Sequence, residues 1–168
     1  ILSGYIVSEF FAALKRGNLE VIISDKRGKK NNSEIIINKD TIKDPKEFFQ
    51  NEFIKEEINE YENNESSDLE NSYWYYQCLD AENNNVIVKT KEIKNLGLVK
   101  LSLIVAPETP KVVCLIRKDM KITEDLRSSN VVKGLWKPQH VPPNIKDFVG
   151  VVEVLNPEGN KLIRSMEP

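Results

Sequence analysis

Two cations close an apolar run in the stretch Val112-Val113-Cys114-Leu115-Ile116-Arg117-Lys118-Asp119-Met120-Lys121-Ile122-Thr123. A strand that ends in a base is an arm that holds a positive charge in a fixed place. Arg117 and Lys118 are therefore the residues with the most chemical promise. Alternation carried through the run as one strand, Val112 to Ile122, puts Arg117 in line with Val113 and Leu115 and Lys118 in line with Cys114 and Ile116, so the two point to opposite faces. One of them at most then serves any single site, unless the strand bulges there. The competing reading is that both are ordinary solvated cations at a strand end.

Elsewhere the chemistry is thinner. The tip DKRGKKNN gathers Lys26, Arg27, Lys29 and Lys30, which suit phosphate contacts but also suit a plain solvated loop. His140 is the one histidine of the chain; it has no Ser or Cys nucleophile in a recognisable setting and no second His for a metal, so it reads as a packed or solvated loop residue. Trp136 lies in the same segment. Carboxylates are abundant, but they concentrate in solvated runs. No phosphate-binding glycine loop, dinucleotide fingerprint, nucleophile elbow or zinc-protease motif is present, so we expect no catalytic residue, metal or cofactor in the chain itself. Cys78 and Cys114 sit in apolar, strand-like runs at no zinc spacing and read as reduced core thiols.

The elements that must position these residues follow from periodicity. A chain of 168 residues with net charge −2 has the length of one domain and no global basic field for nucleic acid. Residues 3 to 16 predict a helix, with Lys15 and Arg16 at its negative end and Gly17 stopping it. The runs Leu19 to Ser24 and Glu34 to Asn38 predict a hairpin around the basic tip. Asp44-Pro45-Lys46-Glu47 starts a second helix that runs to about Tyr61. The acidic stretch 62–72 reads as a flexible connector. Strand signals then succeed one another at Tyr73 to Leu79, Val86 to Ile93, Leu98 to Val105, Val112 to Ile122 and Phe148 to Leu155, with Asn83-Asn84-Asn85 turning between the first two. Within Tyr73-Trp74-Tyr75-Tyr76, alternation separates Trp74 and Tyr76 from Tyr73 and Tyr75. The strand at Leu98 to Val105 is expected beside the one at Val112. Residues 125–147 form a long loop, and loops of that length are usually functional or disordered. Strands and helices in separate runs imply an α+β fold with a mixed, mainly antiparallel sheet and two main helices.

A resemblance adds to this. Ile116 to Ile122, IRKDMKI, resembles a strand of the middle or transducer domain of GHKL-type ATPases, the superfamily that joins DNA gyrase, the large heat-shock chaperone, histidine kinases and MutL. The stretches Val149 to Val154 and Asn160 to Pro168 are similar to uncharacterised bacterial proteins that begin with a chaperone-like ATPase domain. SEFFAALKRGNLEVII, residues 8–23, resembles the helix and strand that leave that domain. These pieces cover about half of the chain, and residues 38–72 match nothing in the family.

The family's nucleotide motifs, an Asn-bearing helix with a catalytic Glu and an Asp-x-Gly-x-Gly turn, are missing here. The resemblance therefore implies the domain that follows the ATPase, with the ribosomal-protein-like left-handed crossover of a transducer. Residues 1–168 would be a single domain excised from a longer chain. Its work would be to couple nucleotide state to neighbouring domains through Lys118 or Arg117 near the γ-phosphate. ATP and magnesium would belong to the preceding domain, which would be the partner, in a cytoplasmic, homodimeric ATPase without a membrane segment. In the family the transducer lysine often lies on a loop, whereas alternation here puts Lys118 on a strand. The rival expectation is an interaction module that binds protein or nucleic acid through the basic tip and the long loop, without touching ATP.

Overall fold

A computed structural model describes residues 2–24, 34–42, 71–123 and 146–165. Among these the chain forms α1 (Leu2–Arg16), β1 (Val21–Ser24), β2 (Glu34–Ile37), α2 (71–78), β3 (Ile87–Ile93), β4 (Gly97–Val105), β5 (Val112–Arg117), β6 (Met120–Thr123), β7 (Phe148–Val154) and α3 (Pro157–Arg164). The fold is α+β. Two compact units are distinguished, Ile1–Tyr76 and Gln77–Pro168, and the chain passes from one to the other within α2.

The first unit is built on α1. Val7, Phe11 and Leu14 share its inner stripe and are buried almost completely. Gly17, at φ 72, ends the helix: its N–H donates to the Leu14 carbonyl and that of Asn18 to the Ala13 carbonyl, the paired bonds of a Schellman cap. β1 and β2 pair antiparallel from Val21↔Ile37 to Ser24↔Glu34. Their alternation turns Val21, Ile23, Ile35 and Ile37 toward Val7, Leu14, Ile42 and Tyr76, while Ile22 and Ile36 face solvent. Each fully buried aliphatic side chain in such a cluster contributes roughly 1.5–3 kcal/mol. Tyr75 stacks at a tilt on Phe11 with ring centroids 5.4 Å apart, and the Lys15 ammonium lies 4.5 Å from the Tyr76 ring centre.

The second unit is a five-stranded sheet in the order β3-β4-β7-β5-β6. Two antiparallel hairpins, β3–β4 and β5–β6, are joined by the last strand, which inserts between them. β7 runs antiparallel to β4 and parallel to β5, so the sheet is mixed but mainly antiparallel. Residues opposite one another share a face. Ile104, Ser102, Val149, Val151, Cys114 and Ile116 line the buried one.

Several expectations change. β4 and β5 are internal strands, but they are not neighbours, because β7 stands between them. The run from Tyr73 is a helix, not a strand, with its last turn at Leu79, and residues 83–85 lead from that helix into β3. Tyr75 and Tyr76 are adjacent and both buried, which one helical stripe accommodates and an alternating strand does not. Asn71 and Ser72, expected at the end of the acidic connector, are buried in the first turn of this helix. Cys78 is therefore helical. The run from Val112 is two strands with a turn at Lys118 and Asp119. α3 was not foreseen. The second main helix, the connector over 62–70, the basic tip with Lys26, Arg27, Lys29 and Lys30, and the long loop with Trp136 and His140 lie outside the described residues, save Lys146 and Asp147 at the loop's end.

Candidate functional site

β5 ends at Arg117, whose partner across the hairpin is Met120. Lys118 and Asp119 alone make the turn, at φ 48 and φ 67. Positive φ at both central residues is the type I′ geometry that matches the twist of two-residue hairpins. Asn-Gly is the usual sequence for it. Here Lys118 takes the first position at a cost of roughly 1–2 kcal/mol, while Asp119 is of a type that visits left-handed angles. One residue earlier, Leu115 pairs with Thr123 and Ile116 with Lys121, so Ile122 is an extra residue in β6, a bulge that increases the local twist.

These angles separate the two cations in a way that strand alternation does not. Arg117 remains on the strand, half-buried and engaged in contacts within the chain. Lys118 is off the strand, at the exposed tip of the turn. Its ammonium is thus carried on a two-residue turn, and the opposite-face argument made for a continuous strand does not apply to it.

The sheet end beside the turn is organised by β7 and α3. Ile116 on β5, Glu153 on β7 and Lys100 on β4 lie in one cross-strand row. Glu153 is buried, with its carboxylate 3.4 Å from the Lys100 ammonium. A buried carboxylate beside a cation is a neutralised pair, and removing the lysine would leave an expensive charge behind. Asn156 occupies the N-cap position of α3, but its side chain accepts the Leu98 N–H at 2.6 Å instead of a helix N–H, while the Leu155 N–H donates to the Leu98 carbonyl at 2.9 Å. Asn160 donates to the carbonyls of Val154 and Asn156. The helix N-terminus is thereby fixed to the start of β4. Gly97, at φ 74, leaves the space that the Asn156 side chain fills, and Gly159 lets the helix approach the Leu96 carbonyl.

At the opposite end, Asp147 holds the β4–β5 connection. Its carboxylate meets the Lys111 ammonium at 2.9 Å and accepts the Glu108 N–H at 3.1 Å. The Lys111 hydrogen bond, then the Glu108 N–H, hold the Asp147 carboxyl below its ordinary value.

The described residues contain no group of three or more His, Cys, Asp or Glu that could hold a metal. Cys78 and Cys114 are free and buried. The Cys78 thiol lies 3.6 Å from the Val149 carbonyl, and burial pushes its pKa up to about 12, so it stays protonated and unreactive. No described helix is long and apolar enough to cross a membrane.

Sequence reasoning named Arg117 and Lys118 as candidates and missed the Lys100–Glu153 and Lys111–Asp147 pairs, which rest on strand order. The α3 lock had a signal in Asn156-Pro157-Glu158, an N-cap followed by a first-turn proline and acid. No family model, curated protein or solved structure matches the chain.

Proposed function

We propose that this chain is the coupling domain that follows a GHKL-type, chaperone-like ATPase domain, and that Lys118 is the cation that reports the γ-phosphate. The observation that carries the reading is the position of Lys118: exposed, on a two-residue turn, at the tip of a hairpin in the main sheet. Support comes also from the family's habit of placing this lysine on a loop, and from an α+β fold in which a strand pair, β5 and β7, runs parallel. Arg117, half-buried and already engaged, is the lesser candidate. In this reading ATP and magnesium bind the preceding domain, and the full-length protein is a cytoplasmic ATPase that works as a homodimer.

The contact acts by charge. It strengthens as negative charge develops on the transferred phosphoryl group, so its loss lowers turnover more than nucleotide affinity. Lys118→Ala in the full-length protein is expected to reduce kcat by roughly thirty- to a thousandfold, the equivalent of about 2–4 kcal/mol, with a small change in KM. Arg117→Ala is expected to change turnover little. If Lys118→Ala folds and turns over ATP like the parent, the coupling role is wrong. The isolated chain is expected to show no heat of binding with magnesium and ATP in calorimetry, and micromolar binding would mean that it carries a nucleotide pocket of its own.

A further inference from the structure

β3 is an edge strand with open flanks. Its residues, Ile87–Ile93, are exposed along the whole length of the strand, and among the described residues it pairs with β4 alone. Such an edge presents unpaired N–H and C=O groups that can template another strand. Ile87, Val88 and Ile93 keep 46%, 51% and 39% of their surface in water, so apolar area is open there as well. Alternation puts Ile87, Lys89, Lys91 and Ile93 on one face and Val88, Thr90 and Glu92 on the other.

We propose that this edge takes up an extended segment of another polypeptide as an added strand, and that the segment carries acidic residues opposite Lys89 and Lys91. The proposal stands apart from the nucleotide-coupling role. The charge pattern argues against a second copy of this chain as the occupant. Two-fold antiparallel pairing about Thr90 would set Lys89 of one copy opposite Lys91 of the other, and would do so twice. Like charges directly opposite destabilise a strand pair, whereas opposite charges stabilise it. Lysines on an edge guard against self-association; the same two lysines make the edge selective for an acidic strand. Main-chain bonds would give affinity and the alternating side chains specificity.

The complement can be written out. An antiparallel strand, read from its own N-terminus, meets Ile93, Glu92, Lys91, Thr90, Lys89, Val88 and Ile87 in turn. The matching side chains are apolar, basic, acidic, β-branched, acidic, apolar and apolar.

The probe is an acetylated, amidated peptide of sequence Val-Lys-Glu-Thr-Glu-Val-Val, with a control in which Lys replaces both Glu. Isotope-labelled 168-residue chain is titrated with each peptide, and amide shifts and hydrogen exchange are followed residue by residue. The acidic peptide is expected to bind saturably and to slow exchange along β3, and the basic control to bind at least about tenfold more weakly. Lys89→Glu combined with Lys91→Glu is expected to reverse that order, with amide shifts away from β3 showing that the fold is kept. Thr90→Glu alone, which leaves both lysines, is expected to keep it. The proposal is overturned if neither peptide binds, if both bind alike, or if the response maps away from β3. Binding of oligothymidylate at β3 without peptide binding overturns it in favour of nucleic acid, and a β3-mediated dimer in sedimentation overturns it in favour of self-pairing.

Discussion

Lys118→Gly and Lys118→Ala together separate backbone strain from charge at the hairpin tip. Lys118 adopts φ 48, in the left-handed region. There a residue with a Cβ loses roughly 1–2 kcal/mol that Gly does not lose. Gly gives back part of this, because its unfolded chain is freer by roughly 0.5–1 kcal/mol. The net expectation for Lys118→Gly is a gain of about 0.5–1 kcal/mol. At about 2–4 °C per kcal/mol for a chain of this size, that raises Tm by about 1–4 °C. Lys118→Ala keeps the Cβ and with it the strain, so its Tm should stay within about 1 °C of the parent.

Turnover sorts the same variants differently. Both remove the ammonium, so in the full-length protein both should lose ATP turnover by the same factor, although one is more stable than the parent. Differential scanning calorimetry and steady-state ATPase assays on the three proteins provide the measurements. Equal Tm values for Gly and Ala would refute the strain argument, since only the Cβ distinguishes them. Turnover that followed stability instead of charge would refute the phosphate contact while leaving the turn geometry untouched.

Two further outcomes follow from the anchors of the sheet. Asp147 has a lowered folded pKa, so its contribution is present above the ordinary carboxylate value of about 3.9 and is lost as pH falls through the folded value; Asp147→Asn should melt below the parent at neutral pH, and the two should converge in more acid solution, whereas a constant gap down to pH 2 would contradict the assignment. Gly159→Ala would drive a Cβ into the Leu96 carbonyl oxygen and the Val154 side chain, and should cost about 2–3 kcal/mol in urea unfolding, while a loss under about 0.5 kcal/mol would mean that α3 is not seated on the β3–β4 turn.

What the sequence disclosed depended on whether the information was local. Gly17 announced the end of α1, and the β-branched runs around residues 21–24 and 34–37 announced β1 and β2, since each signal acts within a few residues. The α+β class, with its mainly antiparallel sheet, was legible for the same reason. Tyr73 to Tyr76 misled because aromatic residues favour strands, and only tertiary burial of the neighbours Tyr75 and Tyr76 reveals a helical stripe. Lys118-Asp119 hid its turn because Lys118 is none of the Gly, Asn or Asp that ordinarily mark positive φ, and no Gly follows. At the candidate site the two cations were legible as types, but which of them is presented to solvent was decided by that turn. Glu153 opposite Lys100 could not be read at all, because nothing in either segment encodes which strands become neighbours.

The insertion of β7 explains how the hairpin tip is tied to the rest of its unit. Among the described residues, β6 pairs with β5 alone, and β5 joins the remaining strands through β7. Both hairpins are local and close over short turns. β7 must instead find Val99 to Val105 on one side and Val112 to Ile116 on the other across long stretches of chain. Such non-local pairing is slow to form, since its loop entropy must be spent before its contacts are gained. On contact order, the hairpins are expected to form before β7 fastens them together, an order that pulse-labelled hydrogen exchange during refolding would check. β7 also leads straight into Leu155 and Asn156, which hold Leu98 on β4. A load applied to Lys118 would thus pass along β5 to β7, and from there to β4 both by ladder bonds and through the α3 cap. The Lys100–Glu153 pair stands on that path, between the two hairpins. Among the described strands, the hairpin that carries Lys118 thus reaches β4 and β3 through β7.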